Sequence, residues 1–320
     1  MSFLHIRNLG RSSRLGPSAY LKSLGILFAS RRKHGLVFMM STVTGLFCTS
    51  GGLPGLALQG ESLVLVERMM ALPAITLLLT VGLYVLNDLT DADLDRMNKK
   101  RRPIPMGIVT KRQAVFFIIS TNAVAGLIAL STGNLATILL IVPMIAIGIL
   151  YSAPKVALKD RFVVKTLTIG VYMSLSLMLG STVGSDLSNL AVSSVLAYGS
   201  LMVLMMVFVT SPYNDLGDIE GDAAAGRKTI PVVIGRKATL VMIGATACTM
   251  SAASWVLYFS SSLGITGAIV MSIVSSLILV NIIRTSRLEA KSEAIRSQHA
   301  RLMPLHFLMQ SAIIAGTILV

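Results

Sequence analysis

Long apolar stretches recur along the whole chain and are separated by shorter polar connections. Each stretch is close to the roughly 20 residues that a helix needs to cross the hydrocarbon core of a bilayer. The pattern predicts an all-α integral membrane protein, folded as a bundle of nine transmembrane helices. The predicted spans are 35–58, 63–87, 113–132, 134–152, 163–184, 189–213, 238–259, 263–283 and 303–320.

The composition agrees with the prediction of an integral membrane protein. Hydrophobic residues make up 54% of the 320 residues, charged residues make up 13%, and the mean hydropathy is +0.77. A water-exposed surface normally draws about a quarter of its residues from the charged types, so the composition excludes a soluble globular protein. The apolar content is also far above that of a disordered chain.

Basic residues are distributed unequally between the two sides of the predicted bundle. The chain has 28 Lys and Arg residues against 14 Asp and Glu residues, and all the basic ones except Arg68 precede the first span or lie in alternate connections. By the positive-inside rule, those connections face the cytoplasm. The sequence therefore predicts a multi-pass protein of the cell membrane with a cytoplasmic N-terminus and an external C-terminus. The same bias explains the isoelectric point near 10.2 without a nucleic-acid partner.

The first 34 residues are basic and contain no acidic residue. They predict a cytoplasmic or interfacial extension that lies on anionic lipid headgroups, followed by one polytopic domain over residues 35–320. The two cysteines and four histidines show no metal-ligand spacing, so we expect the histidines to be structural. These histidines are His5, His34, His299 and His306.

Two acidic segments, Asn87–Asp95 and Asn214–Asp222, share the pattern N-D-L-x-D-x-[DE]-x-D, and each leaves an apolar span on the same side. On a helix with about 100° per residue, the acids at the second, fifth and ninth positions lie within roughly 60° of one another. Like charges on one helical face need a cation, and Mg²⁺ prefers oxygen ligands while sharing substrate phosphates. The repeat therefore predicts a Mg²⁺-diphosphate site. Its acids are Asp88, Asp91, Asp95, Asp215, Asp218 and Asp222.

Basic side chains near both acidic segments are candidates for contacts with phosphate oxygens that the metal leaves free. These are Arg101, Arg102, Lys159, Lys165, Arg227 and Lys228.

Taken together, the motifs resemble those of the UbiA superfamily of intramembrane prenyltransferases. The acidic segments resemble its N-D-x-x-D-x-x-x-D and D-x-x-D-x-x-x-D motifs, and the residues that follow them resemble R-P-I-x-x-G and G-x-[KR]-T. The connection between the fourth and fifth spans resembles Y-S-x-P-x-x-x-K. The similarity covers about residues 30–320 in the family's order. The matching positions outside the acidic segments are Arg102–Gly107, Tyr151, Ser152, Pro154, Lys159, Gly226, Lys228 and Thr229.

The resemblance implies a single helical bundle that encloses a lipid-open cavity, with the active site capped at the cytoplasmic face. It also implies a prenyltransferase in which Mg²⁺ assists the departure of diphosphate from an allylic isoprenoid, so that a lipophilic acceptor attacks the resulting cation. The six aspartates of the repeat are then the catalytic acids. The implied metal ligands are Asn87, Asp91, Asp218 and Asp222, and the implied substrate contacts are Asn87, Arg102, Tyr151, Ser152, Lys159 and Lys228.

The acceptor is less narrowly defined than the reaction. The sequence most resembles family members that attach a geranylgeranyl group to geranylgeranylglyceryl phosphate in ether-lipid synthesis, and aromatic quinone precursors are the alternative. A secondary transporter or divalent-cation channel is an alternative of a different class, because repeated acidic segments suit it too. Transport sites are expected near the bilayer midplane, whereas these acids lie at helix exits, which favours an enzyme. The oligomeric state is left open.

Overall fold

The computed structural model describes residues 17–48, 62–97, 101–184, 193–288 and 292–318. Across these ranges the regular elements are all helical, which confirms the predicted fold class. Short 3₁₀ turns at Leu158–Asp160 and Thr182–Gly184 flank the sixth helix. The α-helices are α1 (Pro17–Phe47), α2 (Ser62–Thr90), α3 (Ala92–Met97), α4 (Lys111–Ser131), α5 (Leu135–Ser152), α6 (Phe162–Ser181), α7 (Ser194–Asp215), α8 (Ile219–Ala224), α9 (Ile230–Phe259), α10 (Ile265–Ser286), α11 (Ser292–Ala300) and α12 (Met303–Ile318).

Seven of the described helices, α2, α4, α5, α6, α7, α9 and α10, are long and apolar enough to cross a membrane. They correspond to the second to eighth predicted spans. The first and ninth spans are not confirmed, because the charged residues Arg31–Lys33 break the apolar stretch of α1 and because α12 has only 16 residues. Residues 49–58 and 319–320 of those two spans lie outside the described part of the chain. The structure therefore supports an all-helical bundle but not the count of nine.

The helix α1 runs without interruption across the predicted domain boundary between residues 34 and 35. It begins at Pro17, so half of the predicted extension continues directly into the bundle. Ser23, Leu27 and Arg31 are buried within this part of α1. Residues 1–16, which carry Arg7, Arg11 and Arg14 of the predicted extension, lie outside the described residues.

Two glycines allow α1 and α6 to cross with their backbones in direct contact. A Cβ atom at Gly45 would lie 1.9 Å from the carbonyl oxygen of Leu177, and one at Gly180 would lie 1.9 Å from that of Thr42. Any side chain larger than hydrogen would therefore force the two helices apart. This contact fixes α1 against the bundle and with it the position of Arg31.

Substitution Gly180→Ala is expected to destabilise the protein by about 3 kcal/mol, because the helix backbones cannot both keep their positions. The measurement is thermal unfolding in detergent. Gly126→Ala is the matched control, since a Cβ atom at this glycine of α4 meets nothing within 4 Å. The control should stabilise the chain by up to about 1 kcal/mol through helix propensity. Equal effects of the two substitutions would contradict this account of the helix crossing.

Arg68, the basic residue that the charge pattern assigned to the opposite side, connects the ends of three helices. Its Nε and Nη2 atoms each donate to the Thr132 carbonyl at 3.3 Å, and Nη1 donates to the Val183 carbonyl at 3.4 Å. Carbonyl groups at helix C-termini have no partner within their own helix, and a cation satisfies them well. Arg68 thus joins α2 to the ends of α4 and α6.

The helix α9 begins earlier than the seventh predicted span, to which it corresponds. The sequence placed the start of this span at residue 238, whereas α9 begins at Ile230 and bends at Gly235, where φ is 80°. Just after the bend, Arg236 Nη2 donates to the carbonyls of Thr285 and Leu288 at 2.7 and 3.0 Å. The basic residue just after the bend therefore attaches α9 to the end of α10.

Candidate active site

Both acidic segments converge on one cavity of about 220 Å³. The first segment covers the last turn of α2 and continues into α3, and the second covers the end of α7 and continues into α8. Since α2 and α7 both deliver their C-terminal ends to this cavity, the two segments face each other as the repeat predicted. Among the described residues, four aspartates and five basic side chains line it. These are Asp91, Asp215, Asp218, Asp222, Arg31, Arg102, Lys159, Lys165 and Arg227.

The first acidic segment divides into buried and cavity-lining acids. Asp88 and Asp95 have only 1% and 2% of their surface exposed. Arg31 Nε donates to Asp88 Oδ2 at 2.6 Å, and Arg102 bridges the two acids through Asp88 Oδ1 at 2.8 Å and Asp95 Oδ2. A buried carboxylate requires such compensation, because desolvation of an unpaired charge costs several kcal/mol. The two arginines therefore hold Asp88 and Asp95 in place behind the cavity wall. Asp91, from the same segment, lines the cavity itself.

Asp91 is held by two cations from other parts of the chain. Its Oδ1 accepts from Lys159 Nζ at 2.7 Å and also from Arg227 Nη2. Lys159 donates further to Thr90 Oγ1 at 2.6 Å and to Asn87 Oδ1 at 3.3 Å. Burial opposes ionisation of Asp91, but Arg227 and Lys159 hold its pKa below the usual value. Asp91 is therefore held in its ionised form by the two cations that contact it.

The second acidic segment is less fully compensated by cations. Lys165 Nζ lies 2.5 Å from Asp215 Oδ1, whereas the buried Asp215 Oδ2 has no hydrogen-bond partner in the described ranges. Arg296 Nη2 donates to Asp218 Oδ1 at 2.5 Å. Burial raises the pKa of Asp222 to about 6, against the lowering effect of Lys165 and Arg227. The negative charge of these acids is therefore only partly compensated, and a bound cation would stabilise it further.

The donor set fits a hard divalent cation that is shared with a substrate. In the part of the chain that the structure describes, three or more His, Cys, Asp or Glu side chains do not come together as a ready-made metal site. The available donors are carboxylate and amide oxygens, with Asp215 Oδ2 unpartnered. Mg²⁺ prefers this chemistry, because it takes few protein ligands and completes its shell with water and substrate phosphates. The side chains that would hold it are Asn87, Asp91, Asp215, Asp218 and Asp222.

The loop between α5 and α6 delivers Tyr151 and Lys159 to the cavity. Tyr151 lies in the last turn of α5, and Lys159 lies in the 3₁₀ turn before α6, which follows a left-handed Ala157 with φ of 38°. Lys159 is only 5% exposed. Its burial lowers its pKa, while Asp91 favours the charged form.

Residues 25–308 match the sequence profile of the UbiA prenyltransferase family. The chain belongs to this family. The match confirms the resemblance drawn from the motifs, and it identifies the chain as a multi-pass membrane prenyltransferase.

Curated relatives in the UbiA family carry the name digeranylgeranylglyceryl phosphate synthase. The Natronomonas pharaonis protein is 32% identical over 165 residues, which cover 52% of this chain and 56% of the relative. The Methanoculleus marisnigri protein is 27% identical over 207 residues, covering 62% and 71%. The Thermococcus kodakarensis protein is 24% identical over 257 residues, covering 80% and 84%. The first of these matches thus spans little more than half of the relative.

Solved UbiA structures share the fold of this chain. The apo structure of a UbiA homologue from Aeropyrum pernix K1 superposes with a TM-score of 0.66 at 20% identity, covering 90% of this chain and 98% of the other. A UbiA homologue from Archaeoglobus fulgidus bound to GPP and Mg²⁺ superposes with a TM-score of 0.60 at 18% identity, covering 93% and 99%. At these identities the comparison establishes the helical fold alone.

Within this UbiA fold, not every predicted site residue reaches the cavity. Asn87, Arg102, Tyr151 and Lys159 line it, as do four of the six aspartates. Ser152 is buried with an unpartnered Oγ, away from the cavity lining. Lys228 has an exposed side chain, and its backbone N–H donates to the Asp160 carbonyl at 3.0 Å. The preceding residue, Arg227, occupies the cavity wall instead.

Several cavity residues of this UbiA protein carry no motif in the sequence. Arg31 was assigned to the basic extension, yet it reaches Asp88 from α1. His34, His299 and His306 were expected to be structural, and all three line the cavity. One available signal was the three-residue spacing of Arg31 and His34, which places them on one face of a helix.

Proposed function

We propose that this UbiA protein transfers a geranylgeranyl group, in a Mg²⁺-dependent reaction, from geranylgeranyl diphosphate to geranylgeranylglyceryl phosphate. The observation that carries the proposal is the convergence of Asp91 from the first motif and Asp215, Asp218 and Asp222 from the second on one cavity. Each of the five cations that line the same cavity is already paired with an aspartate, so these cations offer little uncompensated positive charge. A diphosphate, with a charge of about −3, therefore needs added divalent cations to bind there.

The side chains of the cavity suit the departure of diphosphate. Mg²⁺, when bound, acts as a Lewis acid on the diphosphate oxygens. Lys159, Lys165 and Arg227 present fixed positive charge to the oxygens that gain negative charge as the allylic C–O bond breaks. Because their partners Asp91 and Asp215 hold them in place, these cations need little reorganisation during the reaction.

The inner wall of the cavity protects the allylic cation from water. Phe38, Ile169, Met173 and Val207 line this part, and Phe38 and Met173 are almost fully buried. An apolar wall excludes water that would otherwise hydrolyse the cation. The same wall accommodates the first isoprene units of the donor.

The proposed acceptor rests on the relatives, since all of those described above are named for synthesis of digeranylgeranylglyceryl phosphate. An aromatic quinone precursor is the competing acceptor. The proposed orientation follows the charge distribution: the basic residues 1–34 and the acidic motifs face the cytoplasm, and residues 35–320 form the polytopic prenyltransferase domain.

The test incubates the purified full chain in lipid nanodiscs with Mg²⁺, radiolabelled geranylgeranyl diphosphate and one acceptor at a time. The acceptors are geranylgeranylglyceryl phosphate, 4-hydroxybenzoate and dihydroxynaphthoate. We expect a lipid-soluble product with the glycerol phosphate lipid. Product formation with an aromatic acid alone would replace the proposed acceptor, and absence of diphosphate release with every acceptor would contradict prenyl transfer by this site.

Removal of the divalent metal is expected to lower turnover by at least about 100-fold, because the diphosphate then leaves without Lewis-acid assistance. The measurement is product formation after treatment with EDTA, followed by addition of Mg²⁺ in excess over the chelator. Activity should return on this addition. Undiminished turnover in EDTA would show that the acidic motifs serve another purpose.

A further inference from the structure

We propose that His306, whose place in the site no sequence motif indicated, binds the hydroxyl group of the acceptor and receives its proton during transfer. The inference rests on the proposed function, because it assigns the second substrate of the same cavity. His306 lies on α12 and is only 7% exposed, yet it lines the cavity that the acidic motifs close.

The depth of His306 in the bundle matches the place of attack. Its Nε2 lies 3.2 Å from Thr210 Oγ1, and Thr210 precedes Asp215 by five residues on α7. At 1.5 Å per residue, His306 is therefore anchored about 7 Å deeper than the start of the second motif. A diphosphate held by the acids places its allylic C1 atom towards this layer. The acceptor oxygen must come within about 3.5 Å of that C1 atom.

The hydrogen bonds around His306 determine which nitrogen is free. Thr210 Oγ1 donates its single proton to the Met206 carbonyl at 3.0 Å, so it must accept from His306 Nε2–H. The imidazole is then the Nε2–H tautomer, and Nδ1 carries a lone pair. That Nδ1 atom is buried and has no partner among the described residues. A buried acceptor without a donor is costly, and a substrate hydroxyl supplies the missing donor.

With His306 as the proton acceptor, every bond, electron pair and proton of the prenyl transfer is accounted for. The acceptor hydroxyl donates to Nδ1 while its oxygen attacks C1 of the allylic chain. The C1–O bond to diphosphate breaks first, and its electron pair leaves with the diphosphate. The acceptor oxygen then forms the new C–O ether bond with C1 of the resulting allylic cation. The hydroxyl proton moves to Nδ1, and the imidazolium returns it to water after product release. General-base assistance of this kind typically contributes about 10²-fold or more to the rate.

The test compares two amide substitutions of His306 in the full-length enzyme. In His306→Gln the amide nitrogen lies as many bonds from the backbone as Nε2, so it can keep the contact with Thr210 but loses the Nδ1 acceptor. In His306→Asn the amide oxygen takes the place of Nδ1. We expect kcat/KM for geranylgeranylglyceryl phosphate to fall about 100-fold in the Gln variant. The Asn variant should recover the KM for this acceptor but not kcat.

Two further measurements separate this role from folding and from donor binding. Mg²⁺-dependent binding of geranylgeranyl thiodiphosphate, a non-reacting donor analogue, should stay within about twofold of wild type in both variants. Met309→Leu, a buried core position on the same helix, should leave acceptor kinetics unchanged. Acceptor kinetics within threefold of wild type in a folded Gln variant would overturn the inference, as would equal KM increases in the Gln and Asn variants. If the wild type transfers to none of the acceptors, the proposed function itself has failed.

Discussion

Asp91→Asn is expected to lower kcat about a thousandfold while the protein remains folded. The carboxylate of Asp91 binds Lys159 and Arg227 and, in our proposal, the metal that carries the diphosphate. An amide keeps the shape of the side chain but removes the charge that orders both cations. The measurement is single-turnover product formation at saturating donor and acceptor.

Asp93→Asn is the control for this substitution, because it makes the same chemical change in the same acidic segment. The Asp93 side chain is 82% exposed, and its only ion-pair partner among the described residues is the exposed Arg96. Surface pairs of this kind contribute little, so activity should stay within about twofold of wild type. Similar losses in the two variants would show that Asp91 has no special place in the reaction.

Arg31→Met is expected to destabilise the protein by about 3 kcal/mol, since it removes one partner of a buried ion pair. Asp88 is 1% exposed, and among the described residues it keeps only Arg102 as a cationic partner after the change. We expect lowered thermal stability in detergent together with reduced activity, because Asp88 lies one helical turn from Asp91 on the same segment.

Arg32→Met is the matched control for Arg31→Met. It removes the same charge at the next position of α1, where the side chain is exposed. Its unfolding temperature should match that of the wild type. A comparable loss of stability in both variants would mean that the charge of α1, rather than the contact with Asp88, stabilises the bundle.

The parts of the fold that the sequence predicted are those with a local cause. A continuous apolar stretch defines a membrane helix by its own length, so α2 and the six other candidate spans were predictable. The convergence of the acidic segments followed from their repetition at the ends of spans that exit on one side. The end of α4 at Ser131 and the start of α5 at Leu135 likewise lie within one residue of the predicted span limits at 132 and 134.

The parts that the sequence did not predict depend on contacts between distant segments. In the sequence, Arg31 does not differ from other basic residues at a membrane edge. The packing of α1 against α2 is what brings it to Asp88. His306 has no partner spacing in the sequence, because Thr210 lies on a different helix. The choice between Arg227 and Lys228 depends on the turn after α8, where Gly226 has a φ of 71°. Such arrangements follow from tertiary packing and leave no periodic signal.

Magnesium-dependent binding of geranylgeranyl thiodiphosphate to Asp91→Asn, Asp222→Asn and the double variant tests the central claim most directly. If the two motifs hold one metal-bound diphosphate, the losses of binding free energy in the two single variants are coupled. The double variant should then differ from the sum of the single losses in binding free energy by at least about 1 kcal/mol. Losses that add to within about 0.5 kcal/mol would show that the two aspartates act on separate sites, and would contradict the account.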